Sequence, residues 1–153
     1  MAAINIKKEF KKVRAFLTDI PNINCGGCGI AALAMYRWLK RKKACDVRFI
    51  VGYNNANQFK INSEYVVDHS NNSPVAPCHI GLAIRFDCFD SGVIMDCEKD
   101  WELFRWRYIH MFEDESAILD MINKGNNWND SFDRSDVLLI AERLNIDLTD
   151  VKI

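Results

Sequence analysis

Residues 24–41 read NCGGCGIAALAMYRWLKR, and the reading of this stretch decides the fold. From Cys28 to Arg41 no proline interrupts the chain, and Ile30, Leu33, Ala34, Trp38 and Leu39 fall on one face of an α-helix. The run closes on Lys40, Arg41, Lys42 and Lys43, cations that complement the carbonyl end of a helix and read as a solvated helix terminus. The spacing therefore predicts a helix over Cys28–Arg41 with Cys28 in its first turn. Ahead of it lies Cys25, two residues removed, among Gly26, Gly27 and Gly29. Such a pair suits three chemistries: a dithiol, half of a metal site, or a nucleophile with a neighbour.

Outward from this helix, residues 7–17 carry apolar side chains at Phe10, Val13, Phe16 and Leu17, which predicts an amphipathic helix. Residues 19–24, with Pro21, read as a polar loop, and Val47–Tyr53 as a strand. Residues 54–63 read as a loop, 64–68 as a short strand and 69–77 as a long loop. Two further strands are expected at 79–86 and 93–97, joined by a turn at Asp90, Ser91 and Gly92. Aromatic and apolar residues at 101, 104, 106 and 108 suggest another strand over 101–110. Helices are expected at 115–123 and 135–144, on either side of the loop GNNWND. This order predicts an α+β domain with N-terminal helices packed on a mainly antiparallel sheet. All 153 residues fit one such domain, with a core that needs no covalent staples.

Lysine and arginine number 20 against 21 acids, so the net charge is -1 and gives no electrostatic reason to expect nucleic acid as the main partner. The N-terminal MAAINIKKEFKKV is polar and lysine-rich, unlike a signal peptide, and no apolar run is long enough for a membrane span. The expected compartment is the cytoplasm, where the six cysteines are thiols. Abundant asparagine is a bias of AT-rich genomes, phages among them; a phage origin would place the protein in the host cytoplasm or a virion. Oligomeric state has no signature in the sequence.

A thiol in the first turn of a helix sits where backbone N–H groups and the helix dipole favour the thiolate. It then needs a base, and the base needs a group to hold its ring. PCHIGLAIRF followed by SGVIMDC supplies both, with His79 opening one expected strand and Asp96 near the end of the next. A hairpin of two such strands brings the two side chains together, in the chain order Cys28, His79, Asp96.

The stretch Cys28–Met35, CGIAALAM, resembles the helix-opening C-G-x-A-x-L-x-M of the bacteriocin-leader peptidases of ABC exporters, a branch of the papain-like cysteine peptidases. HIGLAI and GVIMD resemble that group's histidine and aspartate strands, and Cys25-Gly26-Gly27-Cys28 is similar to the C-G-S-C of papain. The resemblance implies a papain-like fold and a thiol protease acting on a peptide or protein substrate, without a cofactor or metal. It implies Cys28 as nucleophile, His79 as base, Asp96 as its orienting group and Asn22 as an oxyanion donor. In the group a glutamine holds the position of Asn22. Cys97 stands where the group has a proline, and the shorter interval from Cys28 to His79 implies a trimmed substrate-side region.

Other readings of the same residues stay open. C-G-G-C at a helix start is also the arrangement of thioredoxin-like dithiols, with Val75-Ala76-Pro77 as the facing segment. That fold wants a buried strand before the motif and leaves His79 and Asp96 unused. Cys25, Cys28, Cys78 and His79 would make a zinc set, but adjacent residues at a strand start point to opposite faces. A retained papain-like fold without catalysis, serving as a structural or partner-binding protein, accounts for the same pattern. Cys45, Cys88 and Cys97 read as small buried hydrophobes, His69 and His110 as structural, and Trp101, Trp106 and Trp128 as core or groove wall.

Overall fold

A computed structural model describes residues 5–17, 19–20, 23, 27–53, 79–84, 87–89, 108–124 and 132–153. Among them, four helices and four strands follow the order α1 (Ile6–Leu17), α2 (Cys28–Arg41), β1 (Val47–Tyr53), β2 (His79–Ile84), β3 (Asp87–Phe89), β4 (Tyr108–Phe112), α3 (Glu115–Lys124) and α4 (Arg134–Leu144). The strands form one antiparallel sheet in the order β3-β2-β1-β4. The architecture is α+β, with α2 packed on the central pair β1 and β2 and with α1, α3 and α4 around it.

Helix α2 has the bounds its periodicity predicts, and it is the centre of the core. Cys28 to Met35 are all buried, as is Leu39. Ile30, Leu33 and Leu39 are wholly excluded from solvent, each contributing about 1.5–3 kcal/mol of burial free energy. A helix apolar on nearly all sides must be covered on all sides, and here the sheet takes one side and three helices the others. Val47, Phe49 and Val51 on β1 and Ile80 and Leu82 on β2 share the core with α2, alternating along each strand as a pleat requires. Phe49 pairs with Leu82 and Val51 with Ile80, and the Phe49 ring stacks on Tyr36 of α2 at 4.7 Å.

Four sequence expectations need correction. Phe16 is 41% exposed, because Phe10, Val13 and Leu17 already fill the buried stripe of α1; its ring leans on Trp38 instead. In the loop 19–24, Ile20 and Ile23 are buried, so the connection from α1 to α2 contributes core rather than only polar surface. Cys45 is exposed, standing between Lys43 and Asp46, two residues with positive φ that turn the chain from α2 into β1. Strand β2 ends at Ile84, which pairs with Asp87, so the chain reverses between residues 84 and 87 and not first at 90–92. The nearer partner closes the ladder with less loop entropy lost. The expected strands at 64–68 and 93–97 lie outside the described residues, and of the one expected over 101–110 only the end overlaps β4.

Candidate active site

The start of α2 is built by what surrounds it. Gly27, the residue before the helix, has no side chain to cap it, and its carbonyl accepts the first helical hydrogen bond, from Ala31 at 2.9 Å. A Cβ at Gly27 would lie 2.7 Å from two ring carbons of Phe132 and 2.8 Å from the Ile23 carbonyl oxygen. The glycine is thus required by a close approach, and the group that approaches is the protein's own Phe132 ring. The partner of Gly27 lies over a hundred residues downstream, a contact no local pattern announces.

Cys28 is the first residue of α2 and is 3% exposed, part of the core cluster with Phe132 and Ile23. The N–H groups of Cys28, Gly29 and Ile30 precede the first intrahelical bond and point out of the helix end. They supply the partial positive charge that an anion at that end would meet.

His79 is the first residue of β2, and its backbone pairs with Gly52 of β1. The two elements that Cys28 and His79 open are packed on one another. Their relative level follows from the Tyr36–Phe49 contact. Residues 42–46 return the chain from α2 to β1, so β1 runs back along the helix and β2 runs with it. From Tyr36 back to Cys28 is about 12 Å of helix. From Phe49 on to Gly52, the partner of His79, is about 10 Å of strand in the same direction. The backbones of Cys28 and His79 thus come to one end of the helix–sheet layer. Strand β3, antiparallel to β2, also heads for that end, with Phe89 opposite Leu82.

Asp96, Asn22, Cys25 and Cys78 lie outside the described residues. Among the described residues no group of three histidine, cysteine or acidic side chains is arranged to hold a metal ion, and no helix is long and apolar enough to cross a membrane.

Further along α2, Arg37 gathers the C-terminal segment. Its guanidinium donates to both oxygens of Asp150 at 2.8 and 2.6 Å, to the Asp147 carbonyl at 2.7 Å and to Glu115 at 3.2 Å. Hydrogen bonding to Asp150 raises the Arg37 pKa further, against the effect of burial, and the same contact lowers that of Asp150. A groove of roughly 570 Å³ runs beside it, lined by Arg37, Arg41, Asn145, Ile146, Asp147, Thr149 and Asp150, in which Arg37 is paired with Asp150, Arg41 with the Asn145 carbonyl and Thr149 with Asp147. It reads as the seam of a structural ionic lock.

No family model, no curated protein and no solved structure matches the chain.

Proposed function

We propose that the chain is a papain-like cysteine hydrolase acting on a peptide or isopeptide bond. The observation that supports it is the common end shared by the helix Cys28 opens and the strand His79 opens, in the chain order the motifs require. In this reading the Cys28 Sγ attacks the carbonyl carbon while His79 takes the thiol proton. The oxyanion is held by the Cys28 N–H with Asn22, and Asp96 orients the imidazole. The C–N bond breaks as His79 returns the proton to the leaving amine, leaving a thioester on Cys28. Water, deprotonated by His79, then hydrolyses it; an amine in place of water makes the same residues a transferase. Asp96 follows Phe89 by seven residues on a chain already heading toward the start of β2.

Thiol reactivity tests the reading, and exposed Cys45 is the internal reference. With iodoacetamide at pH 6 and modification sites mapped by mass spectrometry, Cys28 should be alkylated faster than Cys45, and His79→Ala should abolish the difference. A Cys28 that reacts more slowly than Cys45, as a plain core thiol does, would end the hydrolase proposal. A second reading, a non-catalytic papain-like protein that is structural or binds a partner, draws on the 3% exposure of Cys28 and on the Phe132 ring against Gly27. It predicts that slow outcome.

A further inference from the structure

The near-zero net charge conceals a segregation along the chain. Residues 5–48 contain eleven lysines and arginines against three acids, whereas residues 108–153 contain four against ten. The fold turns this into a surface. Lys8, Lys11 and Lys12 are exposed on α1, spaced by three and four residues so that they share one outward stripe. Lys40, Lys42 and Lys43 are exposed at the end of α2. Trp38 joins the two groups: its Nε1–H donates to Glu9 at 3.0 Å, Glu9 accepts from Lys12 at 3.4 Å, and the Lys42 Nζ lies 5.5 Å from the indole centre. Glu9 is the only acid in residues 5–17 and 36–45.

We propose that this face, α1 with the end of α2, binds the phosphate backbone of nucleic acid without reading its sequence. The kind of cation decides between partners. Of the described arginines nearby, Arg37 holds Asp150, Arg48 holds Glu113 and Arg143 holds Asp19; Arg41 donates to the carbonyls of Leu144 and Asn145 while lying over the Trp38 ring, and Arg14 of α1 lies over the Phe10 ring. The outward charge is carried by lysines, compact hydrated point charges that suit phosphate neutralisation rather than bidentate base recognition. Lysine is depleted at protein–protein interfaces, which argues against a protein occupant. A membrane surface would want apolar groups to insert, and here the apolar side of α1 is spent in the core. Among the large apolar side chains described on α1, Phe16 is the exposed one, and its ring rests on Trp38. Trp38 is half-buried and already in contact with Phe16, Arg41 and Lys42, which favours phosphate contact by the lysines over base stacking.

Fluorescence anisotropy of the full chain with two unrelated 20-base-pair DNA duplexes, at salt from 50 to 200 mM, tests the proposal. Six lysine–phosphate contacts predict equal binding of both duplexes and a loss of about a thousand-fold in affinity across that range. Lys8→Gln/Lys11→Gln/Lys12→Gln, with an unchanged thermal midpoint, should reduce the loss to about forty-fold. Lys152→Gln, in the acidic half, and Cys28→Ala should bind as the parent does. No duplex binding at 50 mM salt, or a triple variant with the parent's salt dependence, overturns the proposal. So does binding to phosphatidylserine vesicles or to a second copy of the chain, lost in the triple variant, where the duplex does not bind.

Discussion

At the scale of the residue, the junction of Gly27, Cys28 and Phe132 carries the most structural consequence. Gly27 has an ordinary helical-region backbone, φ -96° and ψ -3°, so its need for glycine is one of space and not of conformation. Gly27→Ala must displace both the Phe132 ring and the Ile23 carbonyl, and overpacking of this kind costs about 1–3 kcal/mol. Phe132→Ala empties a buried aromatic site, at about 3–5 kcal/mol. The two changes touch the same space, so they will not add. On the Phe132→Ala background, Gly27→Ala should cost visibly less than alone, while the Ile23 carbonyl keeps the cost above zero. Urea denaturation of the four proteins measures this coupling. Strict additivity would show that the ring is not what excludes a side chain at Gly27.

At the scale of the element, the helix exits are closed the same way twice. After α2, the Ala44 N–H donates to the Leu39 carbonyl and the Lys43 N–H to that of Lys40; after α4, Ile146 N–H reaches Ala141 and Asn145 N–H reaches Glu142. This is the Schellman arrangement, with a left-handed residue past the end, Lys43 at φ 60° and Asn145 at φ 50°. Asparagine tolerates that conformation, whereas lysine pays steric strain against its own Cβ. Lys43→Gly should therefore raise stability by about 0.5–1 kcal/mol, and Asn145→Gly by less, read as shifts of the urea midpoint. The contrast bears on what the sequence makes legible. The ends of α2 and β1 agree with periodicity because both are buried on well-defined faces, so their pattern is dictated by the core. The exit at Lys43 carries no glycine or asparagine to mark it, and the early reversal after Ile84 is set by strand pairing rather than by turn residues. Cys28 and His79 were legible as element starts; the Phe132 lid over Gly27 and the lysine face joined through Trp38 arise only when distant elements pack.

At the scale of the molecule, the C-terminal segment is a strap drawn across three helices. Leu148 and Val151 are buried, Arg37 of α2 holds Asp150, Asn123 of α3 bonds the Asp150 carbonyl and the Lys152 N–H, and Arg134 of α4 donates to the Val151 carbonyl. Asp150 is the titratable link in that strap. The Arg37 hydrogen bonds hold its pKa below the ordinary aspartate value, outweighing burial, while Asp147 opposes weakly. Asp147, Asp133, Asp114 and Asp19 are lowered as well, by hydrogen bonds from Thr149, Ser135, Ser116 and Arg143 respectively. For each, the folded pKa lies below the unfolded value near 3.9, so in the acid range the unfolded chain binds more protons and stability rises with pH. Their contribution is complete above about pH 5 and is lost as pH falls through the folded values. Arg37 stays protonated throughout and adds no pH dependence of its own. The Asp150 side chain is 44% exposed against 17% for Arg37, so solvent screening trims the pair, and Asp150→Asn should cost about 1 kcal/mol at pH 7. As pH falls through the folded pKa of Asp150, the carboxyl becomes protonated in the folded as well as the unfolded parent, and that difference should shrink toward zero. Thermal midpoints from pH 2 to 7 test this: the variant's acid limb should be shallower than the parent's, and two parallel curves would remove Asp150 as the titrating link.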